Sequence, residues 1–121
     1  MTNQGPDKLY IAVRADLSPG LQIAQAVHAM AHFADEHPDL FKSWLTESNN
    51  LVVVAVPDQL TLLELFTAAL GRSIPRYLFR EPDLDNEATS IALAAGPAAM
   101  KLCANLPCAL KVKSGRGLTM V

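Results

Sequence analysis

Cysteine is scarce in this chain of 121 residues: Cys103 and Cys108 are its only two, and they lack the C-x-x-C spacing. That excludes a disulfide scaffold. No apolar run approaches the ~20 residues that span a bilayer. The opening segment, Met1-Thr2-Asn3-Gln4-Gly5-Pro6-Asp7, has neither the basic start nor the apolar stretch of a signal peptide. An excess of one charge is missing too, since ten Lys/Arg stand against twelve Asp/Glu for a net charge of -2. Such a balance argues against a strongly basic protein that wraps nucleic acid. The expectation is a cytoplasmic, soluble protein. What is present is apolar: 50% of residues are hydrophobic and 18% charged, too apolar for disorder. One domain is the natural reading of this length, with roughly two-thirds of the unfolded surface buried.

The near-neutral total hides an asymmetry. Residues 1–70 carry a balance of -5 and residues 71–121 a balance of +3. No acid follows Glu87, whereas Lys101, Lys111, Lys113 and Arg116 do. The pattern fits a mildly basic tail on a soluble surface, or a local anion-binding surface on an acidic protein.

Leu9–Arg14 is a short run of β-formers and predicts a buried first strand. Asp16-Leu17-Ser18-Pro19-Gly20 breaks it, with Ser18 and Pro19 as N-cap and first-turn residue of a helix from Leu21 to about Glu36. In that helix Ile23, Val27, Met30, Ala31 and Ala34 recur at helical steps. His37-Pro38 ends it, and Asp39 caps a short second helix through Leu45. The unbroken branched run Leu51–Val56 suits a central strand covered on both faces. Gln59–Leu70 predicts a helix with Leu62, Leu63, Phe66 and Leu70 facing inward and Gly71 as its left-handed cap. Strands over 74–79 and 90–95 flank an acidic loop, 81–87. A short helix at 98–102, a weak edge strand at 108–112 and a loose tail from residue 113 complete the chain. The fold class is α/β: one domain over 8–112, a mixed sheet of four to five strands, and helices on both faces in three layers.

Several chemistries are excluded by missing motifs. The glycine spacing and lysine of a P-loop are absent, and there is neither G-x-G-x-x-G nor a G-x-S-x-G elbow. His28 and His32 stand at i, i+4, a spacing that chelates metal, but the glutamate of H-E-x-x-H is absent and no third ligand is indicated. A half-buried His28 and a solvated His32 are the structural alternative. Gln25 shares their helical stripe. Arg14 and Asp16 bracket the end of the first strand, where an arginine and free helix amides hold an anion, or where a salt bridge rigidifies the turn. Glu81, Asp83 and Asp85 crowd one loop beside Arg80. Such a cluster tunes one carboxyl for acid–base work, binds a divalent cation, or is merely solvated. In open α/β sheets ligands collect at strand carboxyl ends, which selects the loops after Arg14 and Arg80.

Taken in order, Arg14-Ala15-Asp16-Leu17, Gln25-Ala26-Val27-His28-Ala29, the strand Leu51–Val56, the loop at Arg80-Glu81 and a closing strand ending in Gly96-Pro97 resemble the type II peptidyl-tRNA hydrolases of archaea and eukaryotes. The likeness covers roughly 8–112. It departs at Leu21, where the family usually has lysine, and in the loop, where its aspartate is replaced by Glu81 or shifted to Asp83. The resemblance implies hydrolysis of the ester joining a peptide or N-blocked amino acid to the tRNA 3′ end, with no metal or cofactor, by a homodimer. It implies His28 acting on water, Glu81 or Asp83 orienting it, and Thr89 as a hydroxyl of the site. Arg14, Asp16, Gln25 and Arg80 would bind substrate. With Leu21 in place of the lysine, the alternative is a non-catalytic tRNA- or nucleotide-binding module of the same fold.

Overall fold

A computed structural model describes residues 7–111. β1 (Lys8–Arg14) and β2 (Asn50–Val56) pair in parallel, from Leu9 opposite Leu51 to Arg14 opposite Val56. A parallel pair requires a crossover, supplied here by α1 (Pro19–Glu36) and α2 (Pro38–Glu47). After α3 (Gln59–Gly71), β3 (Arg76–Glu81) and β4 (Glu87–Leu93) form an antiparallel hairpin. β4 also pairs antiparallel with β1, giving the order β2-β1-β4-β3, and α4 (Pro97–Cys103) follows.

Alternation along β1 divides the core. Leu9, Ile11 and Val13 pack with Ala29, Phe33 and Trp44 beneath α1 and α2. Tyr10 and Ala12 pack with Leu62, Leu65, Ala69, Ala99 and Cys103 beneath α3 and α4. The sheet thus has an apolar layer on each face, the three-layer α/β arrangement that its pattern of elements predicts.

The helices turn differently from their apolar periodicity. α1 buries Gln22, Gln25, Ala29 and Phe33, while Ile23 and Val27 remain 58% and 62% exposed. Its sheet-facing stripe is partly polar because both glutamines have hydrogen-bond partners there. α3 buries Leu62, Leu65 and Ala69 and leaves Leu70 exposed. Asp39 sits in the first turn of α2 rather than capping it; the N-cap is His37, without a side-chain bond. β3 and β4 lie a few residues from their expected bounds, at 76–81 and 87–93. Instead of an edge strand, Cys108 makes one antiparallel bridge to Val54, with the Ala109 N–H donating to the Val53 carbonyl at 2.9 Å. Residues from 112 onward, including the expected tail, lie outside the described residues.

Gly71 is not the left-handed cap of α3; Ser73 is, at φ 56°. The Ile74 N–H reaches the Ala69 carbonyl and the Ser73 N–H that of Leu70, both at 3.0 Å. That pair of bonds closes a Schellman motif with Ile74 packed near Ala69. A non-glycine residue in this region carries a steric cost of about 1–2 kcal/mol, partly offset by the greater freedom of unfolded glycine. Ser73→Gly is therefore expected to stabilise the fold by about 0.5–1 kcal/mol, read as a higher urea midpoint at unchanged m.

Candidate active site

The carboxyl end of β1 and the start of β4 hold two polar clusters. Arg14 continues the β1 row of Tyr10 and Ala12 and is only 7% exposed. Its Nε and Nη2 donate to Asp16 at 3.0 and 2.8 Å, and Nη1 donates to Glu87 at 2.7 Å and to the Ala88 carbonyl at 3.1 Å. The Arg14 hydrogen bonds hold the Asp16 carboxyl below its ordinary range. Those same carboxylates raise the arginine's own pKa, so it stays charged throughout the accessible pH range. One cation between two carboxylates leaves the cluster net negative. The guanidinium's bonds go to protein oxygens, which is the salt-bridge reading of this turn. Asp16 does fix Arg14, with Glu87 as a second partner 73 residues away.

The second cluster gathers around Gln25, which is 1% exposed. Its Nε2 donates to Glu81 Oε1 at 2.8 Å, and its Oε1 accepts from the Thr89 hydroxyl. A carboxylate only accepts, so Glu81 must face the amide nitrogen and Thr89 the amide oxygen. The Ser90 hydroxyl donates to the Gln25 carbonyl at 2.7 Å. Neighbouring strand residues ordinarily face opposite sides. Here a register shift leaves Phe79 paired with Ser90 and Arg80 with Ala88, so Thr89 is the extra residue. That bulge explains how Thr89 and Ser90 both reach α1 while Ala88 and Ile91 both point into the core beneath α3.

Glu81 also accepts from the Asp83 N–H at 3.2 Å. The Gln25 amide foremost, then this backbone donor and the nearby His28, hold its carboxyl below the usual range. His28 is exposed one turn beyond Gln25, its ring stacked on Phe79 with centroids 4.6 Å apart and planes 11° from parallel. The structure thus brings Gln25, Glu81, Thr89 and His28 together. It keeps Arg14 and Asp16 apart from them, joined only through β4, where Arg14 binds the carbonyl next to Thr89. Arg80 is exposed and donates to the Asn86 carbonyl at 3.2 Å, and Asp83 is exposed in the 3-10 turn Pro82–Leu84. Leu21 is exposed in the first turn of α1, its N–H capped by Ser18 Oγ at 3.4 Å. Among the described residues no three His, Cys, Asp or Glu side chains group as metal ligands.

Sequence reasoning missed Ser90, Glu87 and Gln22, whose Nε2 ties the β1–α1 loop through the Leu17 carbonyl at 2.8 Å. Glutamines on the inner stripe of an otherwise apolar helix were the one available signal.

Residues 7–112 match the model of the family described as peptidyl-tRNA hydrolase PTH2. A peptidyl-tRNA hydrolase of Thermococcus onnurineus strain NA1 is 33% identical over 103 residues, covering 78% of this chain and 87% of that protein. A solved structure of a protein of unknown function from Agrobacterium tumefaciens strain C58 is similar at a TM-score of 0.63 and 16% identity, covering 87% of this chain and 98% of that one. That last likeness concerns the fold alone.

Proposed function

Because the chain belongs to the PTH2 family of peptidyl-tRNA hydrolases, we propose that it hydrolyses the ester between a peptide, or an N-blocked amino acid, and the 3′ adenosine of tRNA. The observation that carries this reading is the chain of bonds from Thr89 through Gln25 to Glu81, which fixes an ionised carboxylate close to His28. In the reaction His28 takes a proton from water as the water oxygen attacks the ester carbonyl, and Glu81 orients that water and balances the imidazolium. The proton then passes to the departing 3′ oxygen, leaving a free acid and free tRNA. Thr89 is fully buried and acts through Gln25, as a positioning residue. Asp83 serves through its backbone N–H. Arg14 positions the start of β4, and with it the bulge, rather than touching substrate. Arg80, on the exposed rim of the loop, is the cation available to a tRNA phosphate.

A second reading is favoured by Leu21, which stands where the family usually carries lysine: the same site holds a tRNA end without turnover. Incubation with N-acetyl-aminoacyl-tRNA separates the two. Release of free tRNA is expected, and its loss in His28→Ala. Binding without release would instead establish the module, and a steep loss of that binding with salt would mark phosphate contacts.

The assembly we propose is a homodimer. Ile23 and Val27 on α1 join Leu51 and Leu110 to line an exposed apolar groove, a surface that a second copy would cover. Sedimentation at micromolar concentration is expected to give a dimer, and Val27→Glu a monomer. A wild-type monomer would contradict the assembly.

A further inference from the structure

Beside the carboxylate site runs a strip of aromatic rings of which the chemistry above uses only one, His28. His28 and His32 are successive residues of one helical stripe, and Tyr77 and Phe79 alternate on the face of β3 turned toward α1. His28 lies on Phe79, and His32 lies on Tyr77 with centroids 5.2 Å apart and planes 14° from parallel. His32 also meets Phe79 at 5.3 Å. Tyr77 and Phe79 are half-buried, whereas both histidines are exposed. Each imidazole is therefore held flat from beneath and open toward solvent.

The strip has a beginning and an end. It begins at Gln25 and Glu81, one helical turn before His28 and two residues after Phe79. It ends one turn beyond His32 at Asp35 and Glu36, acidic residues from which the upstream RNA must turn away. Between these limits stand two imidazoles about 6 Å apart along the helix, at ~1.5 Å of rise per residue. That separation suits adjacent, unstacked nucleotides of an extended strand. Flat rings fixed in pairs are the means by which single-stranded RNA is held without reading its sequence, because every base has a π-face.

We propose that His28 and His32, backed by Phe79 and Tyr77, form a two-base stacking platform for the last nucleotides of an RNA 3′ end, leading that end into the Glu81 site. The proposal rests on the hydrolase reading for the direction of the strand, though the stacking itself does not require turnover. The platform accounts for how a protein of slight net negative charge holds an RNA end with few phosphate contacts. It also gives His28 two tasks on different parts of the imidazole: the ring face carries a base and a ring nitrogen meets water.

The test is a titration of the protein with the RNA trinucleotide CCA, followed by NMR of the histidine ring protons. Ring-current shifts at both His28 and His32 are expected, with affinity about tenfold weaker in His32→Ala and regained in His32→Phe. Inorganic phosphate should leave those rings unmoved. Unshifted rings at saturation, or His32→Phe binding as weakly as His32→Ala, would overturn the platform. Hydrolysis assayed in parallel keeps the two readings apart. Turnover with the wild-type KM in His32→Ala would remove the platform and spare the hydrolase. Ring shifts without any turnover would remove the hydrolase and spare the platform.

Discussion

Arg14→Met is expected to destabilise the protein by about 2–4 kcal/mol, the largest stability effect of any single polar substitution at this end of the sheet. Methionine keeps the apolar stem but removes the bonds to Asp16, Glu87 and the Ala88 carbonyl. The effect stays below that of a fully buried pair, because the Asp16 and Glu87 side chains are 41% and 42% exposed and rehydrate when the cation leaves. Arg14→Lys restores the charge without the planar fork, so it recovers only part of the loss. The pH dependence has a definite sign. Asp16 has its folded pKa depressed, chiefly by the Arg14 hydrogen bonds, so its contribution is present above its unfolded pKa, near 4, and is lost as pH falls through the folded value. Urea unfolding of wild type should therefore weaken from neutral pH toward pH 3, and Arg14→Met should weaken less steeply. A variant within 0.5 kcal/mol of wild type at neutral pH would show that the cluster does not brace β4.

Gln25→Leu is expected to lower kcat about 100-fold. The Gln25 amide donates to Glu81 at 2.8 Å and is the foremost cause of its depressed pKa. Without that donor the carboxylate loses its fixed place beside His28, and with it the orientation of the water. Thr89→Val leaves the amide in place but unanchored, with about a tenfold loss. A purely structural role would reduce the folded fraction and leave kcat per folded molecule unchanged. The rate normalised to folded protein is therefore the discriminating readout.

Much of this architecture is legible in the sequence, for reasons that can be named. Ser18-Pro19 fixes the start of α1 because that signal is local, and the branched run before Pro57 marks β2 as a strand. But β2 is the edge of the sheet rather than a central strand covered on both faces, with Leu51 45% exposed, because strand order depends on pairing and not on local composition. What the sequence does not announce depends on pairing. The extra residue at Thr89 exists only relative to β3, and Glu87 reaches Arg14 across 73 residues. The apolar positions of α1 mislead for a related reason. Ile23 and Val27 mark a face that remains apolar and exposed, while the face against the sheet carries glutamines whose hydrogen-bond partners lie on other elements. Periodicity reports that a face is apolar, not which neighbour covers it. The same blindness hides the convergence of His28 with Glu81, since no spacing rule relates α1 to the end of β3.

The central claim is that an ionised Glu81, set by Gln25, works with His28 to hydrolyse the tRNA ester, and a single-turnover assay on N-acetyl-aminoacyl-tRNA tests it most directly. The account predicts release of free tRNA by wild type, and a rate lower by about 100-fold or more in Glu81→Gln, which keeps the shape and the acceptor but not the charge. Undiminished release by Glu81→Gln, or no release by the wild-type protein, would contradict it.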